Sequence, residues 1–190
     1  MIALPEYDAR LPRAGAVHVR RARADDWAAV RDLHRALSPQ SIYFRFFTGG
    51  VDLGRELRRL LRPLDDKHET VLALIDNDVV GVASYERVEA HSAEVAFLVD
   101  ARHRGAGLAT LLLDVLADAA RANGISNFVA ETLPGNAAML SVFRDCGLRC
   151  ITTYADGVMY VQAPLEECGD GGAWPALVAD VLKPPLHSRQ

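Results

Sequence analysis

AEVAFLVDARHRGAGLATLLLDVL, residues Ala93–Leu116, decides how this chain is read. Its first part alternates as a strand does. Glu94, Ala96 and Leu98 fall on one face and Val95, Phe97 and Val99 on the other. Its last part carries apolar residues at helical spacing, and the expected helix runs from Gly105 to Asn123, closed by Gly124. Between them lies Arg102-His103-Arg104-Gly105-Ala106-Gly107. Two glycines at a helix start permit a tight turn and close approach of a ligand to the backbone. The first free N–H groups of the helix and its dipole then favour an anion, so the turn is a pyrophosphate cradle in principle. It lacks the GxxxxGK[ST] of a P-loop and the GxGxxG of a dinucleotide fold. Taken alone, it reads equally well as a plain connection between strand and helix.

Working outward, Val17–Arg20 alternates as a short strand, and Met1–Ala16 before it reads as a loose arm. Asp25 and Asp26 stand where a helix N-terminus favours acids, and Trp27, Val30, Leu33, His34 and Leu37 follow at helical spacing. Ser38-Pro39 stops or kinks that helix. An aromatic stretch, Ser41–Phe47, ends at Gly49-Gly50, and an arginine-rich helix is expected over Leu53–Leu61. Thr70–Ile75 and Val79–Ser84 are apolar runs joined by Asp76-Asn77-Asp78, which predicts a hairpin. After the central segment come a strand at Asn127–Leu133, a helix at Asn136–Cys146 and two strands at Arg149–Ala155 and Val158–Gln162. The order β-α-α-β-β-β-α-β-α-β-β predicts an α/β fold of the α+β mixed-sheet kind, with helices on both faces. Ala163–Gly172 reads as a linker, and Trp174, Leu177, Val178 and Val181 as one face of a short terminal helix.

With 190 residues, one domain of ordinary size is expected: an arm at 1–16, a domain at 17–162 and a tail at 163–190. A formal net charge of -4 argues against broad nucleic-acid binding, which depends on a basic surface. Cys146, Cys150 and Cys168 are odd in number and lack CxxC spacing, so neither a disulfide framework nor a metal site is expected. The N-terminus carries acidic residues without a long apolar run, unlike a secretory signal, and no apolar run is long enough to span a bilayer. No membrane role and a cytoplasmic location are the resulting expectations.

The central turn resembles the acetyl-CoA motif of the GNAT superfamily of N-acetyltransferases, [RQ]-x-x-G-x-[GA], here Arg102-x-x-Gly105-x-Gly107. A second signature of that superfamily is similar to Asn136, Phe143 and Gly147-Leu148. Within it, Leu37–Phe47 resembles the LSPxSxYxRF stretch of Pat-type protein lysine acetyltransferases, and Ala93-Glu94-Val95-Ala96-Phe97 their acid-bearing strand. The resemblance covers roughly Val17–Gln162. It implies a GNAT fold with a mostly antiparallel central sheet, and acetyl-CoA as co-substrate.

The resemblance further implies direct attack of an amine on the thioester. Glu94 is the candidate general base, an edge-strand glutamate facing solvent is the alternative reading, and Glu86 and Glu89 are nearby substitutes. The cofactor would lie on Phe97, Leu98 and Val99 of the strand and on Arg102, His103, Arg104, Gly105, Ala106, Gly107, Leu108, Ala109 and Thr110 of the turn. Asn136 either meets the cofactor or caps a helix. Many relatives place a tyrosine acid where this chain has Phe143; Tyr160 and Tyr154 are substitutes without a positional argument. Tyr43, Phe44, Phe46 and Phe47 either shape an acceptor pocket or pack a core, and Arg55, Arg58, Arg59 and Arg62 either attract an acidic protein or form a solvated face. The implied partner is a protein with a reactive lysine, an acyl-CoA synthetase being one candidate, met by a monomer or homodimer. A small-molecule amine acetyltransferase and a non-catalytic acyl-CoA-binding module remain open, because one fold hosts many acceptors.

Overall fold

A computed structural model of the protein describes residues 6–46, 52–63 and 65–165. Thirteen helices and strands are named here in chain order: β1 (Tyr7–Leu11), β2 (Gly15–Arg21), α1 (Trp27–Arg35), α2 (Pro39–Phe46), α3 (Leu53–Leu60), β3 (His68–Ile75), β4 (Asp78–Arg87), β5 (Ser92–Val99), α4 (Leu108–Ala122), β6 (Asn127–Thr132), α5 (Ala137–Asp145), β7 (Ile151–Ala155) and β8 (Val158–Pro164). The strands form one sheet in the order β1-β2-β3-β4-β5-β6-β8-β7. Every pairing is antiparallel except β5 with β6, as a helical crossover through α4 requires.

Strand alternation divides the core between the two faces of the sheet. Leu72, Leu74, Val82 and Leu98 pack with Val30 and Leu33 of α1 and Leu57 and Leu60 of α3. Val71, Ala73, Ala83, Tyr85 and Val95 face the other way, onto α4 and Phe143 of α5. In α4, Leu108, Leu112, Leu113 and Leu116 are fully buried; each stabilises the fold by about 1.5–3 kcal/mol relative to leaving it exposed. The β3–β4 hairpin follows the expectation from sequence. Asp76 and Asn77 hold φ of 52° and 69°, which matches strand twist and suits Asp and Asn.

Three features go beyond the reading from sequence. The arm at 1–16 is not loose where it is described: Tyr7–Leu11 pairs with Gly15–Val19. Pro39 does not merely stop a helix but begins α2, with Ser38 Oγ accepting from the N–H of Ser41 at 3.2 Å. Proline is favoured at the first helical position because its missing N–H would be unpaired there anyway. Finally, the chain stays packed past Gln162: Ala163 and Leu165 are buried in the core. The expected helix at Trp174–Val181, with Cys168 and Phe47, lies outside the described residues. Among the described residues no helix is long and apolar enough to cross a membrane.

One irregularity of the sheet creates a site. β5 pairs with β6 only through Ser92–Glu94, against Asn127–Val129. Beyond Glu94, β5 stays with β4 as far as Val99, while β6 stays with β8 as far as Thr132. The two strands therefore part, and the edge of β5 from Val95 to Val99 faces a gap.

Candidate active site

The gap is a cleft of about 840 Å³. One wall is β5 from Glu94 to Val99; the other is Glu131 of β6 with the Gly135–Met139 loop and the start of α5. His103–Gly105 and Gly107–Thr110 line one end, and Ser41, Phe44, Arg45 and Phe46 of α2 line the other side. Of the residues expected from sequence, Glu94, Phe97, Leu98, Val99, His103, Arg104, Gly105, Gly107, Leu108, Ala109, Thr110 and Asn136 meet in this one space. Arg102 and Ala106 belong to the turn but are not on its lining.

Asp100 builds the turn. Its carboxylate accepts from the backbone N–H of Arg102 at 2.9 Å and from the Arg102 guanidinium at 2.7 Å. The Arg102 hydrogen bond holds the Asp100 carboxyl below its ordinary range, against the opposing effect of burial. The motif's arginine thus serves the loop through Asp100. Gly105 and Gly107 then take φ of 69° and 89°, values at which a Cβ is strained. A Cβ built at Gly105 would meet nothing within 4 Å, so this residue leaves open room beside the cleft. The bond from Leu111 N–H to the Gly107 carbonyl, 3.0 Å, closes the first turn of α4. The N–H groups of Leu108, Ala109 and Thr110 accordingly have no acceptor within the helix. Arg104 bridges to α2, donating to Ser41 Oγ at 2.6 Å. Glycine clearance, free N–H groups, a helix N-terminus and Arg104 suit a phosphate-bearing ligand, so the residues present fit the cofactor that the motif implies.

The acids separate by position. Glu94 is exposed and lines the cleft. Glu86 stands across from it on β4 but is off the lining. Its carboxylate pairs with Arg62 at 2.8 Å, His68 at 3.3 Å and Arg59 at 3.7 Å. Burial alone would raise the Glu86 pKa, but the His68 hydrogen bond and the arginine charges outweigh it and lower it. Glu89, in the β4–β5 connection, is also off the lining. Glu131 was not expected. Its strand neighbour Val129 is the partner of Glu94, so Glu131 lies on the same sheet face, with Phe128, Ala130 and Thr132 buried toward the other.

Arg45 reaches Glu56 of α3 at 3.2 Å and stacks on Phe46, 4.9 Å from the ring centroid. Burial lowers its pKa against the charge of Glu56. Arg59 donates to the same Glu56 at 2.9 Å. Of the four arginines on and beside α3, Arg59 and Arg62 therefore turn inward to acids, while Arg55 and Arg58 face solvent. Phe44 and Phe46 line the cleft, whereas Tyr43 is exposed.

Phe143 is fully buried against Phe97, with ring centroids 6.1 Å apart. Tyr160 and Tyr154 are off the lining, and Tyr154 is 65% exposed. Asn136 caps α5 by accepting from Met139 N–H at 3.3 Å, and it also lines the cleft. Cys146 packs behind the turn, its thiol donating to the Thr110 carbonyl at 3.2 Å. Burial and nearby acids push that thiol up to about 12, so it is no nucleophile.

A sequence model of the Acetyltransferase (GNAT) family matches residues 27–148. Among solved structures, the GNAT domain of S. lividans PAT is 30% identical, with 84% of this chain and 96% of that chain covered and a TM-score of 0.76. The protein yncA from Salmonella typhimurium, solved with its cofactor acetyl-CoA, is 21% identical, with 80% and 95% covered and a TM-score of 0.62. A ribosomal-protein-alanine N-acetyltransferase from Brucella melitensis is 24% identical, with 76% and 97% covered and a TM-score of 0.62. At the two lower identities the likeness is one of fold.

Proposed function

The chain belongs to the GNAT acetyltransferase family, and from that premise we propose that it acetylates a lysine side chain of a protein, with Glu94 as general base. It is an acyltransferase whose acetyl donor is acetyl-CoA. Bound in the cleft, that donor supplies a thioester carbonyl open to attack by an amine. The backbone of Gly105–Thr110, with His103 and Arg104 beside it, would hold the pyrophosphate. The edge of β5 at Phe97–Val99, which β6 leaves unpaired, would hold the amide-bearing arm by strand-like hydrogen bonds. The acetyltransferase domain is taken to run from β1 to Leu165.

A lysine amine has an ordinary pKa of about 10.4, so at about pH 7.5 roughly one molecule in a thousand is neutral. That scarcity is worth roughly 4 kcal/mol of barrier, part of which a positioned base offsets. The observation that carries the assignment is that Glu94, unlike Glu86 and Glu89, lines the cleft. Among the described residues, no tyrosine lines the cleft. The thiolate therefore leaves without a tyrosine acid, which the moderate basicity of thiols allows.

The lysine acceptor rests on α2. Its sequence resembles the Pat-type stretch, and Phe44 and Phe46 offer apolar surface to an alkyl chain, with Glu94 and Glu131 on the face where a cationic amine would enter. The relative at 30% identity is the GNAT domain of S. lividans PAT. The test is thiol release from acetyl-CoA against lysine-bearing proteins and a panel of small amines. Turnover with a protein lysine, and little with small amines, is expected. The reverse preference would overturn the acceptor assignment and leave the acetyltransferase in place.

A further inference from the structure

The β1–β2 hairpin reaches the turn before α4 at two points. Leu11, the last residue of β1, has its methyl carbons 3.7 and 3.8 Å from where a Cβ of residue 107 would stand. Arg13, in the connection to β2, donates through Nη1 to the carbonyl of Gly105 at 3.4 Å. Both contacts fall on the two glycines that shape the turn. The hairpin also lies outside the family match, which begins at Trp27. Arg13 is exposed, and among the described residues no carboxylate pairs with it. An exposed guanidinium is thus anchored on the turn whose His103, Arg104 and Gly105 line the cleft, just outside that lining itself.

We propose that Arg13 is a cofactor-binding residue: anchored on the Gly105 carbonyl, it presents its remaining N–H groups to the phosphates of coenzyme A. This rests on the reading of the cleft as the acetyl-CoA site. A guanidinium suits the task because its planar fork stays charged and matches phosphate oxygens in pairs. Holding it on the turn also removes part of the entropy that a free arginine would lose on binding.

The experiment is calorimetry of coenzyme A with wild type, Arg13→Ala and Arg13→Lys, alongside turnover of S-acetyl-N-acetylcysteamine, a thioester without phosphates. Thermal melts confirm that each variant is folded. Arg13→Ala should bind coenzyme A about five- to twentyfold more weakly, an exposed charged contact being worth less than a buried one. Arg13→Lys, which keeps the charge and loses the fork, should fall between the two. The second-order rate with the phosphate-free thioester should be unchanged. Equal losses on both compounds would show a merely structural role and overturn the proposal, as would a lysine variant no better than alanine. Wild type that binds while Arg13→Ala binds equally well also overturns it. Wild type that fails to bind coenzyme A overturns instead the reading of the cleft on which it rests.

Discussion

The two halves of the cleft are made of different material. The half proposed for the cofactor is mostly backbone: the positive-φ turn at Gly105 and Gly107, the open N-terminus of α4 and the edge of β5 beyond Glu94. The half proposed for the acceptor is mostly side chain: Glu94, Glu131, Phe44, and Arg45 tied to Glu56. A surface of N–H groups tolerates few substitutions, because what matters is conformation. A surface of side chains can be changed one residue at a time while the sheet stays intact. One donor with many acceptors is what such a division allows, and it predicts that mutations in the two halves will have separable effects.

Glu94→Gln should cause the largest change, lowering turnover by about 10²–10⁴-fold while leaving acetyl-CoA affinity alone. Calorimetry beside steady-state kinetics checks the split, and a matching loss of affinity would break it. Gly105→Val should do the converse. The residue must hold φ of 69° beside the cleft, so coenzyme A should bind about ten- to a hundredfold more weakly, with turnover at saturation within a few-fold of wild type. Phe44→Ala should raise the acceptor KM about three- to tenfold and leave coenzyme A affinity unchanged, which a titration of acceptor at saturating donor would read.

The smallest effect lies off the cleft, at the start of α1. Asp26, at the start of α1, accepts two bonds from Arg20 of β2, at 2.6 and 2.8 Å. Burial would raise its pKa, but the Arg20 bond, the Arg23 N–H and their charges outweigh it and lower it. A carboxyl lowered in the folded state stabilises above its unfolded value, near 3.8, and loses that contribution as pH falls through the folded value. Asp26→Asn should therefore cost about 1–3 kcal/mol at neutral pH. Urea titrations should show wild type and variant converging as pH falls through the lowered folded-state value. A gap that persists there would assign the loss to packing.

The strand, turn and helix around Gly105 were legible in the sequence because their determinants are local. Gly105, Gly107 and the apolar spacing from Leu108 lie within one strand–turn–helix, and alternation alone put Glu94 on the face opposite Phe97. What was missed depends on partners distant in sequence. Tyr7–Leu11 is too short and too charged to announce a strand, and becomes one only against β2. Leu165 looks like linker until its N–H bonds to the Ser126 carbonyl at 2.9 Å and its side chain enters the core. Glu131 is an ordinary strand residue in sequence, and it shares the cleft with Glu94 because β5 and β6 part after three paired positions. Pro39 does mark the end of the first helix, as read, but α2 was missed: the residue that ends one helix can begin the next, and Ser38 was the signal that it does.

The measurement that tests the account most directly is the pH dependence of Glu94→Gln against wild type, under conditions where chemistry limits the rate. If Glu94 removes the proton from the attacking amine, the defect should be greatest near neutral pH. It should shrink as pH rises toward the amine's own pKa, because the neutral amine then needs no base. A Gln variant with near wild-type turnover at neutral pH, or a defect that stays constant across the range, would contradict the assignment of Glu94 as the base.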